Sequence, residues 1–214
     1  MRTILDTETF LTFPIVGILR GFPLDLTLEI ARESAAAGLL ALEVTMNTPG
    51  AAEQIAALVA EVGDQTCVGA GTVTCVEEFE SAYDAGAGFI VTPNLDLDVM
   101  ARCRETGLPV CPGAMTPTEI VTAWKYGATM VKLFPAGALG AGYLKAVKAP
   151  LDSIPLLPTG GISLENAPDF LAAGATGFGI GSPLFARDRM EARDWSWLRE
   201  RIAAFRRLFQ GWQG

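Results

Sequence analysis

The 214-residue sequence predicts an α/β fold, a single (β/α)₈ TIM barrel with a short N-terminal helix. Three observations predict it. Eight short β-rich segments recur at intervals of about twenty to twenty-six residues. Most are near-continuous apolar runs, the pattern of strands buried on both faces of a parallel sheet. Stretches of helical periodicity separate them, with no Pro/Gly/Ser-rich linker or charge block to divide the chain, so residues 1–214 read as one domain. Eight alternations favour a closed barrel over an open doubly wound sheet, and this length is near the lower limit for such a barrel.

In chain order, residues 2–12 are expected to form an extra helix capping the barrel bottom. The first strand is FPIVGILRG (13–21), followed by DLTLEIARESAAAG, which sets Leu26, Ile30 and Ala37 on one face and acids with arginine on the other. The second, LALEVTM (40–46), precedes AAEQIAALVAEVG, where Ile55, Leu58, Val59 and Val62 repeat that pattern. TCVGAGTV (66–73), GFIVTPN (88–94), LPVCPGAM (108–115), TMVKLFPA (129–136), IPLLPTGGI (154–162) and TGFGIGSPLF (176–185) complete the strands. Gly38, Gly63, Gly86, Gly107, Gly127 and Gly174 stand where helices should end. The amphipathic tail DWSWLRERIAAFRRLF (194–209) reads as the eighth outer helix rather than as a membrane or partner surface.

Composition removes several function classes. A formal net charge of −8 disfavours nucleic acid, although local backbone N–H groups can still bind a small phosphate. No run of eighteen apolar residues supports a membrane span, and MRTILDTETF lacks the apolar stretch of a signal peptide, so the expected location is cytoplasmic. Cys67, Cys75, Cys103 and Cys111 lack C-x-x-C spacing and read as reduced thiols. Histidine is absent, which removes Ser-His and Cys-His nucleophile pairs and the commonest zinc ligand. Acid–base work then falls to carboxylates, lysine, tyrosine, cysteine or water.

Of the four lysines, Lys125, Lys145 and Lys148 lie in helix-like segments and read as solvated surface charges. Lys132 stands between Val131 and Leu133 in the sixth strand. Desolvation disfavours an ammonium there, and a depressed pKa is what an amine nucleophile needs at neutral pH. A snorkelling or structurally paired lysine explains the position equally well. Glu43 is the one acid of 24 that falls within a predicted strand. Strand alternation turns it away from Leu42 and Val44, so it can point into the barrel mouth, to shuttle protons or simply to neutralise Lys132.

Arg20 and Thr72 end the first and third strands, where barrel active sites are built, and together can hold a carboxylate. PTGGIS (158–163) carries Gly160 and Gly161 after the seventh strand, and GIGSPLF (179–185) carries Gly181 and Ser182 after the eighth. Glycine turns at those two positions form a recurrent phosphate site, so a phosphorylated ligand is expected.

Together these residues resemble the 2-keto-3-deoxy-6-phosphogluconate and -phosphogalactonate aldolase family. The resemblance is collinear over residues 13–185 and rests on ILRG, LEVTMNTP, GAGTV, VTPN, CPGAMTPTE, VKLFPA, PTGGI and GIGS. It implies a homotrimer of (β/α)₈ barrels, no metal and no cofactor. The implied reaction cleaves a phosphorylated 2-keto-3-deoxy sugar acid to pyruvate and glyceraldehyde 3-phosphate. It further implies that Lys132 is the Schiff-base lysine, Glu43 the general acid/base and Thr72 a carboxylate ligand. Gly160, Gly161 and Ser182 would bind phosphate, and Pro93 and Phe134 would wall the pocket. The gluconate branch has an arginine four residues after the glutamate; Asn47 stands there, as in the galactonate branch, which also keeps an arginine at the place of Arg20. VTPN also resembles that branch, whereas EVT, KLFPA and PTGG resemble the gluconate one, so the motifs divide between the two C4 epimers. A 4-hydroxy-2-oxoglutarate aldolase, a metal-independent phosphosugar isomerase and a non-catalytic phosphosugar-binding barrel remain alternatives on the same fold.

Overall fold

The computed structural model describes residues 2–211. Strands β1 (Ile15–Leu19), β2 (Ala41–Thr45), β3 (Cys67–Gly71), β4 (Ile90–Val91), β5 (Val110–Cys111) and β9 (Phe178–Ile180) form a curled parallel sheet in the order β5-β4-β3-β2-β1-β9. Strands β6 (Gly113–Ala114), β7 (Val131–Leu133) and β8 (Leu156–Pro158) form a second, three-stranded parallel sheet. Every segment expected to be a strand contains one. The fifth contains two, because Pro112 has no N–H to offer a ladder and separates β5 from β6. An isolated parallel bridge pairs Thr159 with Gly179, beside β8 and β9.

Helices α2 (Leu24–Ala36) and α3 (Ala51–Val62) bury Leu26, Ile30, Ile55, Leu58 and Val62, the faces expected from their periodicity. Then follow α4 (Val76–Asp84), α5 (Leu97–Thr106), α6 (Pro117–Lys125), α7 (Ala136–Lys148) and the short α8 (Ala167–Ala172). The TPTE motif proves to be helix-start chemistry. Thr116 caps α6, Pro117 opens it, and the Glu119 carboxylate accepts from the Thr116 backbone N–H at 2.7 Å. Gly107 ends α5 in the left-handed region (φ 72°), as expected, but Gly63 follows α3 at φ −64° and makes no such turn.

Three expectations need correction. The leading segment is helical only over α1 (Thr7–Leu11). Residues before it run extended across the lower end of the strands: Leu5 N–H donates to Gly88, Thr3 Oγ1 to Gly63, and the Arg2 guanidinium donates to the Tyr83 carbonyl while lying over its ring. The tail forms α10 (Trp195–Gly211), packed through Leu198, Ile202 and Phe205, but a further short helix, α9 (Arg187–Glu191), precedes it. Lys148 is not a freely solvated charge, since its ammonium donates to the carbonyls of Asp152 and Ile154 at 2.6 and 2.9 Å.

Two apolar clusters hold the elements together. The larger fills the space between strands and helices. The smaller lies inside the curl of the strands, where Val16, Ala41, Cys67, Phe89, Val91, Cys111, Met130 and Leu157 meet Leu5 and Phe10 from the N-terminal segment. The interior below the site is therefore closed and apolar. Among the described residues, no helix is long and apolar enough to cross a membrane.

Candidate active site

Directly above that apolar layer the strand side chains change character. Side chains two apart share a face of a strand, so the step from Ala41 to Glu43 on β2 and from Met130, just before β7, to Lys132 within it places both ionisable groups inside the curl. Glu43 is 1% exposed and Lys132 4%. Lys132 reaches a cavity of about 460 Å³ at the C-terminal ends of the strands.

Glu43 fits because its neighbour is glycine. A Cβ at Gly71 would stand 2.2 Å from Glu43 Oε1, so GAGTV leaves the room that this carboxylate occupies. Burial pushes the Glu43 carboxyl up to about 7, against the opposing pull of Lys132 and Arg20. Burial also lowers the Lys132 pKa, more than the Glu43 carboxylate restores it, and Arg20 lowers it further. None of the ion pairs among the described residues involves either group. The contact expected of a simple neutralising salt bridge is therefore not made. Lys132 Nζ instead lies 5.1 Å from the centroid of the Phe134 ring.

Arg20 and Thr72 meet across the cavity, with Arg20 Nη2 donating to Thr72 Oγ1 at 3.3 Å. Thr72 takes φ 56°, unusual for a β-branched residue and held here by the fold around it. The strand-end motifs maintain this arrangement. Thr48 Oγ1 accepts the Gly21 N–H at 3.0 Å and shares a hydrogen bond with Thr45, which anchors the loop that carries Arg20. Thr92 accepts from Gly113 N–H at 3.2 Å and donates to the Asn94 carbonyl, bracing the turn that presents Pro93 to the cavity.

Gly160 and Gly161 (φ 83° and 78°) line the same cavity with Gly181 and Ser182. The paired glycines are needed for space as well as conformation: a Cβ at Gly161 would come 2.9 Å from the Gly137 Cα. Asn166 locks the turn by donating to the Gly161 carbonyl and accepting from Ser163 N–H, each at 2.8 Å. Among the described residues, the backbone N–H groups of Gly160, Gly161 and Ser182 find no protein acceptor. They remain available to an anion.

Lys132, Arg20, Thr72, Pro93, Phe134, Gly160, Gly161, Gly181 and Ser182 thus share one cavity, with Glu43 buried beside it. Asn47 does not join them. It is exposed in the turn after β2 and lies off the cavity wall. Sequence reasoning missed Ile18, Thr159 and Arg187, which also line the cavity, and Asn166, which supports it. Thr159 lies within PTGGI, but nothing local distinguishes Arg187 from an ordinary surface arginine.

The sequence model of the KDPG and KHG aldolase family matches residues 8–201. The 2-dehydro-3-deoxy-6-phosphogalactonate aldolase of Escherichia coli (strain K12) is 39% identical over 173 residues, covering 80% of this chain and 84% of its own length. A solved structure described as native KDPGal superposes with a TM-score of 0.86 at 34% identity, covering 98% of each chain. A KDPG aldolase from Legionella pneumophila, solved with pyruvate captured at low pH as a covalent carbinolamine, has a TM-score of 0.85 at 28% identity, covering 92% of this chain and 95% of its own. The chain belongs to the KDPG and KHG aldolase family.

Proposed function

We propose that this protein is a class I aldolase that reversibly cleaves a 2-keto-3-deoxy-6-phosphoaldonate to pyruvate and glyceraldehyde 3-phosphate through a Schiff base on Lys132. The observation that carries this reading is the buried Lys132 amine, facing the cavity beside a carboxyl whose pKa lies near neutrality. The neutral amine attacks C2 of the keto acid to form a carbinolamine. Glu43, protonated in part of the population near pH 7, donates a proton as water leaves and an iminium forms. The C4 hydroxyl proton passes to the Glu43 carboxylate, directly or through water. The C3–C4 bond then breaks, its electron pair moves toward the iminium, and the aldehyde departs. Protonation of the resulting enamine at C3 and hydrolysis of the iminium release pyruvate and regenerate Lys132.

Arg20 and Thr72 hold the substrate carboxylate, while Gly160, Gly161, Gly181 and Ser182 take the phosphate at the other end. Fixing both ends holds the scissile bond over the amine. Pro93 and Phe134 form apolar walls. We assign the chain to one domain and a closed (β/α)₈ barrel, supported by Pro112 between β5 and β6 and by the Thr159–Gly179 bridge. A homotrimer in the cytoplasm completes the proposal; light scattering tests the assembly.

Borohydride reduction in the presence of pyruvate, read by intact mass and peptide mapping, tests the chemistry. A pyruvate adduct on the peptide containing Lys132 is expected. Its absence, under conditions that trap a known Schiff-base aldolase, overturns the mechanism. The galactonate epimer comes first in the substrate assay because of the E. coli relative; the gluconate epimer and 4-hydroxy-2-oxoglutarate follow in the same assay.

A further inference from the structure

The charged side chains lining the cavity are Arg20, Lys132 and Arg187, all cationic, on a chain whose formal net charge is −8. Among the described residues no carboxylate shares that lining; Glu43 lies buried beside it. Such a concentration of positive charge against the overall balance marks a binding site for a multiply charged anion. Arg20 already bonds Thr72, and the proposed reaction uses the Lys132 amine. Arg187 is left without an assigned role.

Its position is specific. Arg187 begins α9, five residues beyond Ser182, and lines the same cavity as Ser182 and the Gly160–Gly161 turn. Two contacts hold the guanidinium: Nη2 donates to the Gly21 carbonyl at 3.1 Å and Nη1 to Glu191 at 3.3 Å. Its Cζ lies 5.0 Å from the centroid of the Phe22 ring. The Gly21 and Phe22 contacts join α9 to the loop after β1, and the other donors of the guanidinium fork have no protein partner among the described residues. A guanidinium held by neighbours, with donors to spare, matches phosphate geometry better than a flexible ammonium does.

We propose that Arg187 binds the substrate phosphate together with the two glycine turns, and so sets selectivity for phosphorylated over unphosphorylated keto acids. The catalytic side of this inference rests on the aldolase reading above; the binding side does not. Arg187 completes a site whose backbone donors are uncharged, and its link to the Gly21 loop ties phosphate occupancy to the segment that carries Arg20.

Titration calorimetry with inorganic phosphate on the full chain tests the binding directly. Arg187→Gln is expected to weaken phosphate binding about tenfold or more, with Arg187→Lys recovering part of the loss. Phosphate binding is read without turnover, so the binding result stands even if the lyase reading fails. In turnover, kcat/KM of Arg187→Gln for the phosphorylated keto acid should fall about tenfold further than kcat/KM for 4-hydroxy-2-oxoglutarate, chiefly through KM. Wild-type phosphate affinity in both Arg187 variants overturns the proposal. Equal losses on the two substrates also overturn it, since a loop strut alone would affect both alike. If Arg187→Gln does not fold, the same comparison on Arg187→Lys decides.

Discussion

The lower and upper levels of the space inside the strands are made by the same strands and have opposite characters. Below, Ala41, Met130 and Leu157 pack with Phe10 into a closed apolar floor. Two residues further along those strands, Glu43, Lys132 and Thr159 replace them, buried or nearly so but polar. The floor keeps water from approaching beneath the two ionisable groups, and that loss of solvation raises the Glu43 pKa and lowers the Lys132 pKa. Stability and reactivity are thus stacked a single strand repeat apart, and the first creates the electrostatic setting for the second.

The largest break in that comparison is Lys132→Met, which carries the lower level's chemistry upward. Lyase turnover should fall about 10⁴-fold or more and the borohydride adduct should vanish. Thermal unfolding should show no loss of stability, because an apolar side chain of similar length replaces a desolvated amine.

Glu43→Gln comes next, with kcat reduced about 10²- to 10⁴-fold in steady-state assays. It also carries a pH signature. The folded-state pKa of Glu43, about 7, lies above its ordinary 4.5, so its favourable contribution is complete below 4.5 and disappears as pH rises through 7. Denaturant titrations should therefore show Glu43→Gln gaining on the wild type from pH 4.5 to 8, by as much as about 3 kcal/mol. Removing the Glu43 carboxylate also removes the charge that raises the Lys132 pKa, so the comparison is repeated in a Lys132→Met background, where that coupling is absent.

Phe10→Ala tests the floor. Phe10 is 1% exposed within the inner cluster, and its truncation should cost about 3–5 kcal/mol in urea unfolding. A loss below about 1 kcal/mol would mean that the N-terminal segment covers the strands without sealing them. The smallest effect belongs to Asn47→Ala, expected to change kcat/KM for either epimer less than about twofold, because Asn47 is exposed and off the cavity wall. A larger change in the epimer ratio would bring that turn back into the site.

How legible the site was depended on the kind of signal each residue leaves. Lys132 and Glu43 stand out because an ionisable group in an apolar strand contradicts its surroundings. Arg20, Thr72 and the glycine turns are readable from their place at strand ends. Motifs that look equally specific turned out to be scaffolding: TPTE caps α6, and the threonines of EVTMNTP and VTPN hold loops. Asn166, which no motif marked, braces the glycine turn after β8. Arg187 left no local trace, since an exposed arginine on a short helix is ordinary until the loop beneath it is known.

By itself the sequence determined the alternation of eight apolar strand segments with helices, and the two ionisable residues that break the apolar pattern. Both follow from side-chain period and desolvation, which are local properties. Only the tertiary structure decided that Gly71 makes room for Glu43, that Lys132 and Glu43 sit together without a salt bridge, and that Arg187 joins the glycine turns. Those outcomes depend on how strands distant in sequence register and curl, and no short-range pattern encodes that geometry.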